Sequence, residues 1–197
     1  VFDVDGPLLD LTPPEEDAFF DTFRVLHGIE GLSRDWDSYR VRNDREIVHE
    51  ILENHLGSSF APHHYDEVLA TYDRILTDGF ASGKLKVTAI PGAGELLQTL
   101  SGLERLALGT ATANIRRAAE IRLRKAGFWD HVSRFPGAAD EGGPKHQVLA
   151  RVIGDMQLPP ERVVYIGDNL NDLEAGTVNG THFIGFHVGE AKRQRLL

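Results

Sequence analysis

The second half of the chain alternates between short apolar segments and amphipathic helices. RLALGT, RVVYIGD and THFIGF are predicted to be strands, and a weaker strand is predicted near Val132–Phe135. Helical patterns separate them, in NIRRAAEIRLRKAG, GPKHQVLARVIGDM and LNDLEAGTV. Strands that alternate with helices form parallel βαβ units, because a parallel connection needs a crossover. The predicted fold class is therefore α/β, with a parallel sheet covered by helices.

A block of three helical segments interrupts this pattern after the first strand. TPPEEDAFFDTFRVLHG begins with Thr12 as N-cap, and NDREIVHEILENHLG begins with Asn43 as N-cap and Glu46 as the partner that completes a capping box. HHYDEVLATYDRILTDGF is a third amphipathic segment. We therefore expect a helical cap inserted into the α/β core. The predicted division assigns residues 1–11 and 84–197 to the core and residues 12–83 to the cap.

Composition limits the classes of function. The 197 residues are 41% hydrophobic and 26% charged, which suits a folded domain with an insertion. The net charge of −9 argues against nucleic acid as a partner, and no run approaches the ~18–20 apolar residues of a membrane span. The absence of cysteine removes disulfides and thiol nucleophiles. With no recognisable signal peptide, we expect a cytoplasmic monomer or homodimer, with further residues ahead of Val1.

The segment FDVDGPLLD places two carboxylates at the end of the first predicted strand. Asp3 and Asp5 lie two positions apart, so a strand directs both side chains to the same face. Two like charges on one face repel, which costs stability unless a cation or a reaction uses them. The alternative is a strand that simply ends in an Asx-rich turn.

Further polar groups stand at later strand ends or helix starts. Thr110 ends RLALGT, Lys145 begins a helix, and GDNLND supplies Asp168 and Asp172. Ligands of open parallel sheets bind beyond the carboxyl ends of the strands. Carboxylates are the ligands that Mg²⁺ prefers, and lysine and hydroxyl donors suit phosphate oxygens. Each group alone fits a connector, a solvated lysine or a turn, but together they predict Mg²⁺-dependent chemistry at phosphorus.

These segments resemble a known family. DVDG after an apolar strand start, LALGT, the helix of Lys145 and IGDNLND resemble the four motifs of the haloacid dehalogenase superfamily. The helical insertion resembles the cap of its phosphoglycolate-phosphatase-like members, and the resemblance covers nearly the whole chain. It implies a Rossmann-like core and transfer of a phosphoryl group through an aspartyl-phosphate. The implied substrate is a small phosphorylated metabolite.

The resemblance also implies roles for the motif residues. Asp3 would be the nucleophile and a Mg²⁺ ligand. Asp5 would protonate the leaving alcohol and then take a proton from water, while its backbone carbonyl reaches the metal. Thr110 would bind the phosphoryl group, and Lys145 would neutralise charge on Asp3 and on the phosphate.

The last motif would complete the metal site. Asp168 would ligate Mg²⁺, and Asp172 would support either the metal shell or Lys145. Two departures from the family pattern leave assignments open. Thr110 is followed by Ala-Thr-Ala-Asn, so Thr112 competes for its role, and Lys145 follows a proline where the family often has Lys-Pro.

The favoured function is Mg²⁺-dependent hydrolysis of a phosphate monoester. Asp5 supports it, because an alkoxide leaving group needs a proton and the dehalogenases of the superfamily typically lack an acid at that position. The first alternative is a sugar phosphomutase, which shares all four motifs. A phospho-acceptor signalling module and a non-catalytic binding module are alternatives from other classes.

The cap contains one candidate specificity segment. SYRVRNDREI places Arg42 and Asn43, with Arg40 nearby, just ahead of a well-capped helix. A helix start presents unpaired N–H groups, and arginine donors suit anionic or hydroxylated ligands. We expect Arg42 and Asn43 to face the leaving group. The alternative is that these arginines pair with surface carboxylates.

Overall fold

The computed structural model describes residues 1–186, and its centre is a parallel sheet. Phe2 forms parallel bridges with Thr110 on one side and with Ile166 on the other, so the first strand lies in the middle. On either side follow two parallel strand pairs, β3 (Thr110–Ala111) with β4 (Pro136–Gly137) and β5 (Val164–Gly167) with β6 (His182–Gly185). The spatial order is therefore β6, β5, the first strand, β3 and β4, which confirms the predicted α/β class.

Both faces of this sheet are buried. Val1 and Phe2 are neighbours on one strand, so their side chains point to opposite faces and enter two different hydrophobic clusters. The helices on the two faces are α4 (Ala93–Ser101), α5 (Arg116–Ala126), α6 (Trp129–Val132), α7 (Lys145–Met156) and α8 (Leu170–Val178). The cluster of Phe2 contains side chains of α4, α5 and α6, and that of Val1 contains side chains of α7 and α8.

The cap is built from the three predicted helices, α1 (Pro13–His27), α2 (Asp44–Leu56) and α3 (Pro62–Ser82). The start of α1 follows the predicted pattern, since the carboxylate of Glu15 accepts the Thr12 backbone N–H at 3.1 Å. Apolar side chains of all three helices form one cluster, which Ile115, Ala118 and Ile121 of the core complete. The cap therefore rests on helix α5 and the residue that precedes it.

A short antiparallel pair joins the places where the chain leaves and re-enters the core. In it, β1 (Leu9–Asp10) pairs with β2 (Thr88–Ala89), although the sequence pattern predicted neither strand. This pairing supports the proposed division at residues 12 and 84, which stays a prediction. The last eleven residues of the proposed range 84–197 lie outside the described residues.

Two strand predictions need correction. The weak strand predicted near Val132–Phe135 is wrong, because Val132 ends the short helix α6 and the strand follows at Pro136–Gly137. The strand predicted over RLALGT is shorter than expected and pairs only at Thr110–Ala111. Leu106, within the predicted strand, is 50% exposed, so this apolar stretch is not the buried strand that its composition suggested.

A buried ion pair connects the cap to the core. Arg122 of α5 donates from Nε to Oε1 of Glu15 in α1 at 2.9 Å, and both side chains are almost fully buried. The same guanidinium lies 2.7 Å from Oδ1 of Asp5 through Nη2. Removing one partner of a buried ion pair is costly, because it leaves an uncompensated charge away from water. Arg122 therefore stabilises both the cap and the first acidic segment.

We predict that Arg122→Leu lowers the free energy of unfolding by about 3–5 kcal/mol, because Glu15 and Asp5 lose their cation. Thermal denaturation should show this as a fall of roughly 6–20 °C in the melting temperature. The matched control is Arg124→Leu, since Arg124 pairs with Glu120 on the surface of the same helix. Its effect should stay below about 1 kcal/mol. Equal losses in the two variants would show that the buried pair contributes no more than a surface one.

Candidate active site

A cleft opens where the carboxyl end of the sheet faces the cap. Its core side is lined by Asp3, Asp5 and Lys145, which were predicted to lie together. Its cap side is lined by residues of α1, of the segment from Trp36 to Asn43, and of α2 and α3. The structure thus places the predicted motif residues beneath the inserted helices.

Lys145 connects the first and the last motif. Its Nζ lies 2.6 Å from Oδ2 of Asp3 and 2.5 Å from Oδ1 of Asp172, and all three side chains are buried. Asp172 also accepts the hydroxyl of Tyr165 and, through Oδ2, the backbone N–H groups of Asp168 and Asn169. Because every oxygen of Asp172 has a partner, this residue holds the amine and the loop in place.

The third carboxylate of the cluster is that of Asp168. Ligand oxygens of Asp3, Asp168 and Asp172 all lie within 4.8 Å of one another and are buried. Gly6 leaves room for the side chain of Asp168. The φ angle of Gly6 is +97°, and a Cβ added there would lie 2.3 Å from Cγ of Asp168. Glycine is therefore required there, both for the conformation and for the space. Three hard oxygen donors around one point suit Mg²⁺.

Burial and neighbouring charges shift the pKa values of the residues in this cluster. Burial raises the pKa of Asp3, and the charges of Asp172 and Asp5 add to the effect, while Lys145 opposes it. Lys145 has its pKa raised, because its two carboxylate partners outweigh burial. The ammonium group of Lys145 contacts two of the three carboxylates, those of Asp3 and Asp172. A divalent cation would favour the ionised form of Asp3, so the residues present fit the metal that the sequence predicted.

Asp5 faces the cleft with partners that the sequence did not reveal. Beside the ion pair with Arg122, its Oδ2 accepts the side-chain N–H of Asn114 at 2.6 Å. Burial alone would raise the pKa of Asp5, but Arg122 and Asn114, together with Lys145, lower it. Asn114 is no helix cap, because α5 is preceded by Ile115. The spacing of apolar residues in α5 does not predict that Arg122 is buried, since arginine ordinarily occupies exposed helix positions.

The two candidate threonines differ in where they point. Thr110 is buried, and its hydroxyl lies 3.5 Å from the carbonyl of Gly137. Thr112 lines the cleft, and its hydroxyl accepts the side-chain N–H of Asn114 at 2.7 Å. Of the two hydroxyls, that of Thr112 belongs to the wall of the cleft. The assignment of Thr110 to phosphate stays a prediction, with Thr112 as its competitor.

Arg42 and Asn43 also line the cleft, from the cap. Asn43 is the N-cap of α2 as predicted, since its Oδ1 accepts the N–H of Glu46 at 2.8 Å. The capping box is not closed, because the carboxylate of Glu46 accepts the N–H of Gly143 instead. The side-chain nitrogen Nδ2 of Asn43 donates to the backbone carbonyl of Gly143 at 2.5 Å. These contacts hold α2 against the loop ahead of Lys145.

The guanidinium of Arg42 pairs with Asp37 at 2.8 Å on the partly exposed rim of the cleft. Arg40 pairs with Glu50 and Glu53 and does not line the cleft. Surface pairing, the alternative considered from the sequence, therefore describes both arginines, of which Arg42 also lines the cleft. That Arg42 and Asn43 contact a leaving group stays a prediction.

Some known proteins match this chain over part of their length, and others match it over most of their length. Over 118 residues the chain is 30% identical to the tyrosine-protein kinase PtkA of Mycobacterium tuberculosis, a match that covers 58% of this chain but only 40% of that protein. The chain thus spans less than half the length of this relative. It is 26% identical over 201 residues to a phosphoglycolate phosphatase of Synechococcus elongatus, covering 100% of this chain and 87% of the relative.

Solved structures share the fold. CbbY of Rhodobacter sphaeroides in complex with phosphate superposes with a TM-score of 0.73 at 21% identity, covering 95% of this chain and 85% of that one. A family model for haloacid dehalogenase-like hydrolases matches residues 1–180. The matched range includes Asp3, Lys145 and Asp168, which the structure brings into one buried cluster. The chain belongs to the haloacid dehalogenase-like hydrolase family.

Proposed function

We propose that this protein is a Mg²⁺-dependent phosphatase that hydrolyses a small phosphate monoester. One observation carries the proposal: the buried amine of Lys145 lies between Asp3 and Asp172, beside Asp168, at the end of a parallel sheet. A carboxylate, an ammonium group and a metal-binding acidic cluster are the groups that phosphoryl transfer needs, because catalysis there is mostly positioning and charge stabilisation. The phosphatase named among the relatives supports the same activity.

Asp3 is the proposed nucleophile. One of its oxygens forms a bond to phosphorus, and the bond between phosphorus and the leaving oxygen breaks, which leaves an aspartyl-phosphate. The side-chain oxygen Oδ1 of Asp3 accepts the backbone N–H of Val4 at 2.8 Å, so the carboxylate is held in one orientation. Water then attacks phosphorus and restores Asp3. Splitting the reaction into two transfers lowers a barrier that is otherwise very high.

Asp5 is the proposed acid and base. It would donate a proton to the leaving oxygen in the first transfer and accept one from water in the second. Arg122 and Asn114 hold its carboxylate toward the cleft and favour its ionised form, which is the form that accepts the proton from water. The ion pair with Arg122 also fixes the distance between Asp5 and the cap helix α1.

Asp3 and Asp168, with the backbone carbonyl of Asp5, would hold Mg²⁺, and Asp172 would support this set through Lys145. When bound, the ion would supply positive charge that neutralises phosphate oxygens and the attacking carboxylate. Lys145 also contacts the Asp3 carboxylate, and its amine can donate to a phosphate oxygen. In the part of the chain that the structure describes, no second cation is recorded within 4 Å of the Asp3 carboxylate.

The alternatives differ in what accepts the phosphoryl group. A sugar phosphomutase passes it to a second hydroxyl, and no contact in the cleft favours that acceptor over water. The long helical cap over Asp3 is not expected of a phospho-acceptor signalling module, and a non-catalytic module leaves the Lys145 cluster unexplained. Across residues 1–186, no helix is both long and apolar enough to span a membrane. Residence in the cytoplasm stays a prediction.

We predict that Asp3→Asn abolishes phosphate release from p-nitrophenyl phosphate and from alkyl phosphates, because an amide does not attack phosphorus. Burial already disfavours the charged form of Asp3, so the amide should leave the melting temperature unchanged or raise it in the absence of Mg²⁺. Circular dichroism and thermal denaturation check the fold, and a phosphate assay checks turnover. Clear turnover by pure, folded Asp3→Asn protein would exclude Asp3 as the nucleophile.

We predict that Asp168→Ala weakens Mg²⁺ binding by at least about 10-fold, because the acidic cluster loses one of its oxygen donors. Binding is read from the Mg²⁺-dependent rise in melting temperature, which needs no turnover. EDTA should silence the wild type until Mg²⁺ is restored. The control is Asp130→Ala, an exposed aspartate of α6 outside the cleft. Full activity in EDTA, or identical Mg²⁺ titrations for both variants, would refute the metal site.

A further inference from the structure

The cap side of the cleft is an aromatic chamber. We use the name leaving-group chamber for the lining residues Leu11, Glu16, Phe19, Trp36, Asp44, Ile47 and Tyr72. Phe19 lies at its centre, with ring centroids 5.5 Å from Trp36 and 5.4 Å from Tyr72. A leaving group that extends from the phosphate toward the cap would therefore meet three aromatic rings.

Apart from Arg42, which pairs with Asp37 on the rim, the charged residues that line the cap side of the cleft are carboxylates. Oε1 of Glu16 accepts the indole N–H of Trp36 at 2.8 Å, which binds one carboxylate to an aromatic ring of the wall. Asp44, the first residue of α2, is only 9% exposed, and its Oδ2 accepts the N–H of Ile115 at 2.9 Å. The donors in these two contacts, an indole N–H and a backbone N–H, carry no formal positive charge to balance the carboxylates. Arg34, outside the lining, lies 3.9 Å from Glu16.

The cations of the cleft are already paired. Among the described lining residues, the lysine and arginine side chains are those of Lys145 and Arg42. Lys145 contacts Asp3 and Asp172, and Arg42 contacts Asp37. A leaving group that carried a carboxylate or a second phosphate would thus approach Asp44 and Glu16 without a free cation. Like charges at such a partly desolvated site repel strongly.

We propose that the substrate is the phosphate monoester of an amino alcohol, whose ammonium group binds in the leaving-group chamber between the aromatic rings and Asp44. Aromatic faces attract cations, and this attraction strengthens where water is excluded. The inference rests on the proposed phosphatase function and names its substrate class. In the reaction, water supplies the oxygen that joins phosphorus, and the amino alcohol leaves with a proton on its oxygen.

The cost of keeping Asp44 supports a functional role. Burial and the charges of Asp5 and Asp140 raise the pKa of Asp44 to about 7, against the opposing effects of the Ile115 N–H and Arg122. A carboxyl whose pKa is raised on folding loses stability as the pH rises from about 4 to about 7. Ionisation of Asp44 therefore costs stability at neutral pH, and a bound cation would reduce that cost.

The test compares three two-carbon substrates that differ in terminal charge. They are O-phosphoethanolamine, 2-hydroxyethyl phosphate and 2-phosphoglycolate, whose leaving groups are cationic, neutral and anionic. We expect kcat/KM to fall in that order, by about 10-fold or more between the first and the last, which corresponds to ~1.4 kcal/mol. Phosphocholine should also be a substrate, because the aromatic rings accept a quaternary ammonium group.

Asp44→Asn links this preference to one residue, since the amide keeps the acceptor for Ile115 and loses the charge. The ratio of kcat/KM for O-phosphoethanolamine to that for 2-hydroxyethyl phosphate should fall toward one. The variant should also melt higher than the wild type, by more at about pH 8 than at about pH 5. The control is Asp78→Asn, an exposed residue of α3 outside the cleft, which should leave the ratio unchanged.

The outcomes separate the two proposals. Suppose that the neutral ester is hydrolysed, but that kcat/KM for 2-phosphoglycolate equals or exceeds that for O-phosphoethanolamine. This result would overturn the proposed ammonium site in the leaving-group chamber and leave the phosphatase proposal standing. A substrate ratio that Asp44→Asn does not change would overturn the role of Asp44. No Mg²⁺-dependent hydrolysis of any of these esters or of p-nitrophenyl phosphate would refute the phosphatase function, and the substrate class with it.

Discussion

The buried amine of Lys145 is the interaction on which the site depends. It bridges Asp3 on the first strand and Asp172 on α8. Asp172 in turn orients Tyr165 and the backbone of Asp168, so one ammonium group sets the relative positions of all three acidic residues. Without it, three carboxylates within 4.8 Å of one another would repel in a buried site. The proposed metal would share this charge.

The sequence was sufficient to predict the groups that stand at strand ends. Asp3, Lys145 and Asp168 each follow or precede a short, clearly patterned element, and parallel strands bring their carboxyl ends to one edge. Arg122 and Asn114 were missed as partners of Asp5, because they lie 117 and 109 positions from it along the chain. A periodic pattern reports which face of a helix is buried, and a buried arginine violates the pattern. The strand error at Val132 has a similar origin, since a four-residue segment with two apolar side chains fits a strand or a short helix equally well.

The cap and the core are coupled through a few polar contacts as well as through apolar packing. Arg122 joins Glu15 of the cap to Asp5 of the core, and Asn43 and Glu46 join α2 to Gly143, close to Lys145. Each contact ends near a residue of the proposed chemistry. We infer that the position of the cap and the geometry of the reacting groups are linked, because the same side chains serve both. The aromatic and acidic wall of the leaving-group chamber then gives the cap its proposed role in substrate choice.

The most direct test of the phosphatase mechanism is chemical identification of the phosphorylated residue. Protein quenched during turnover with Mg²⁺ and substrate is treated with sodium borohydride, which reduces an aspartyl-phosphate to homoserine. Peptide mass spectrometry then locates the reduced residue. The mechanism predicts homoserine at position 3, dependent on substrate and absent from Asp3→Asn protein. Reduction at another aspartate would contradict Asp3 as the nucleophile, and sustained turnover without any trapped residue would contradict the covalent intermediate.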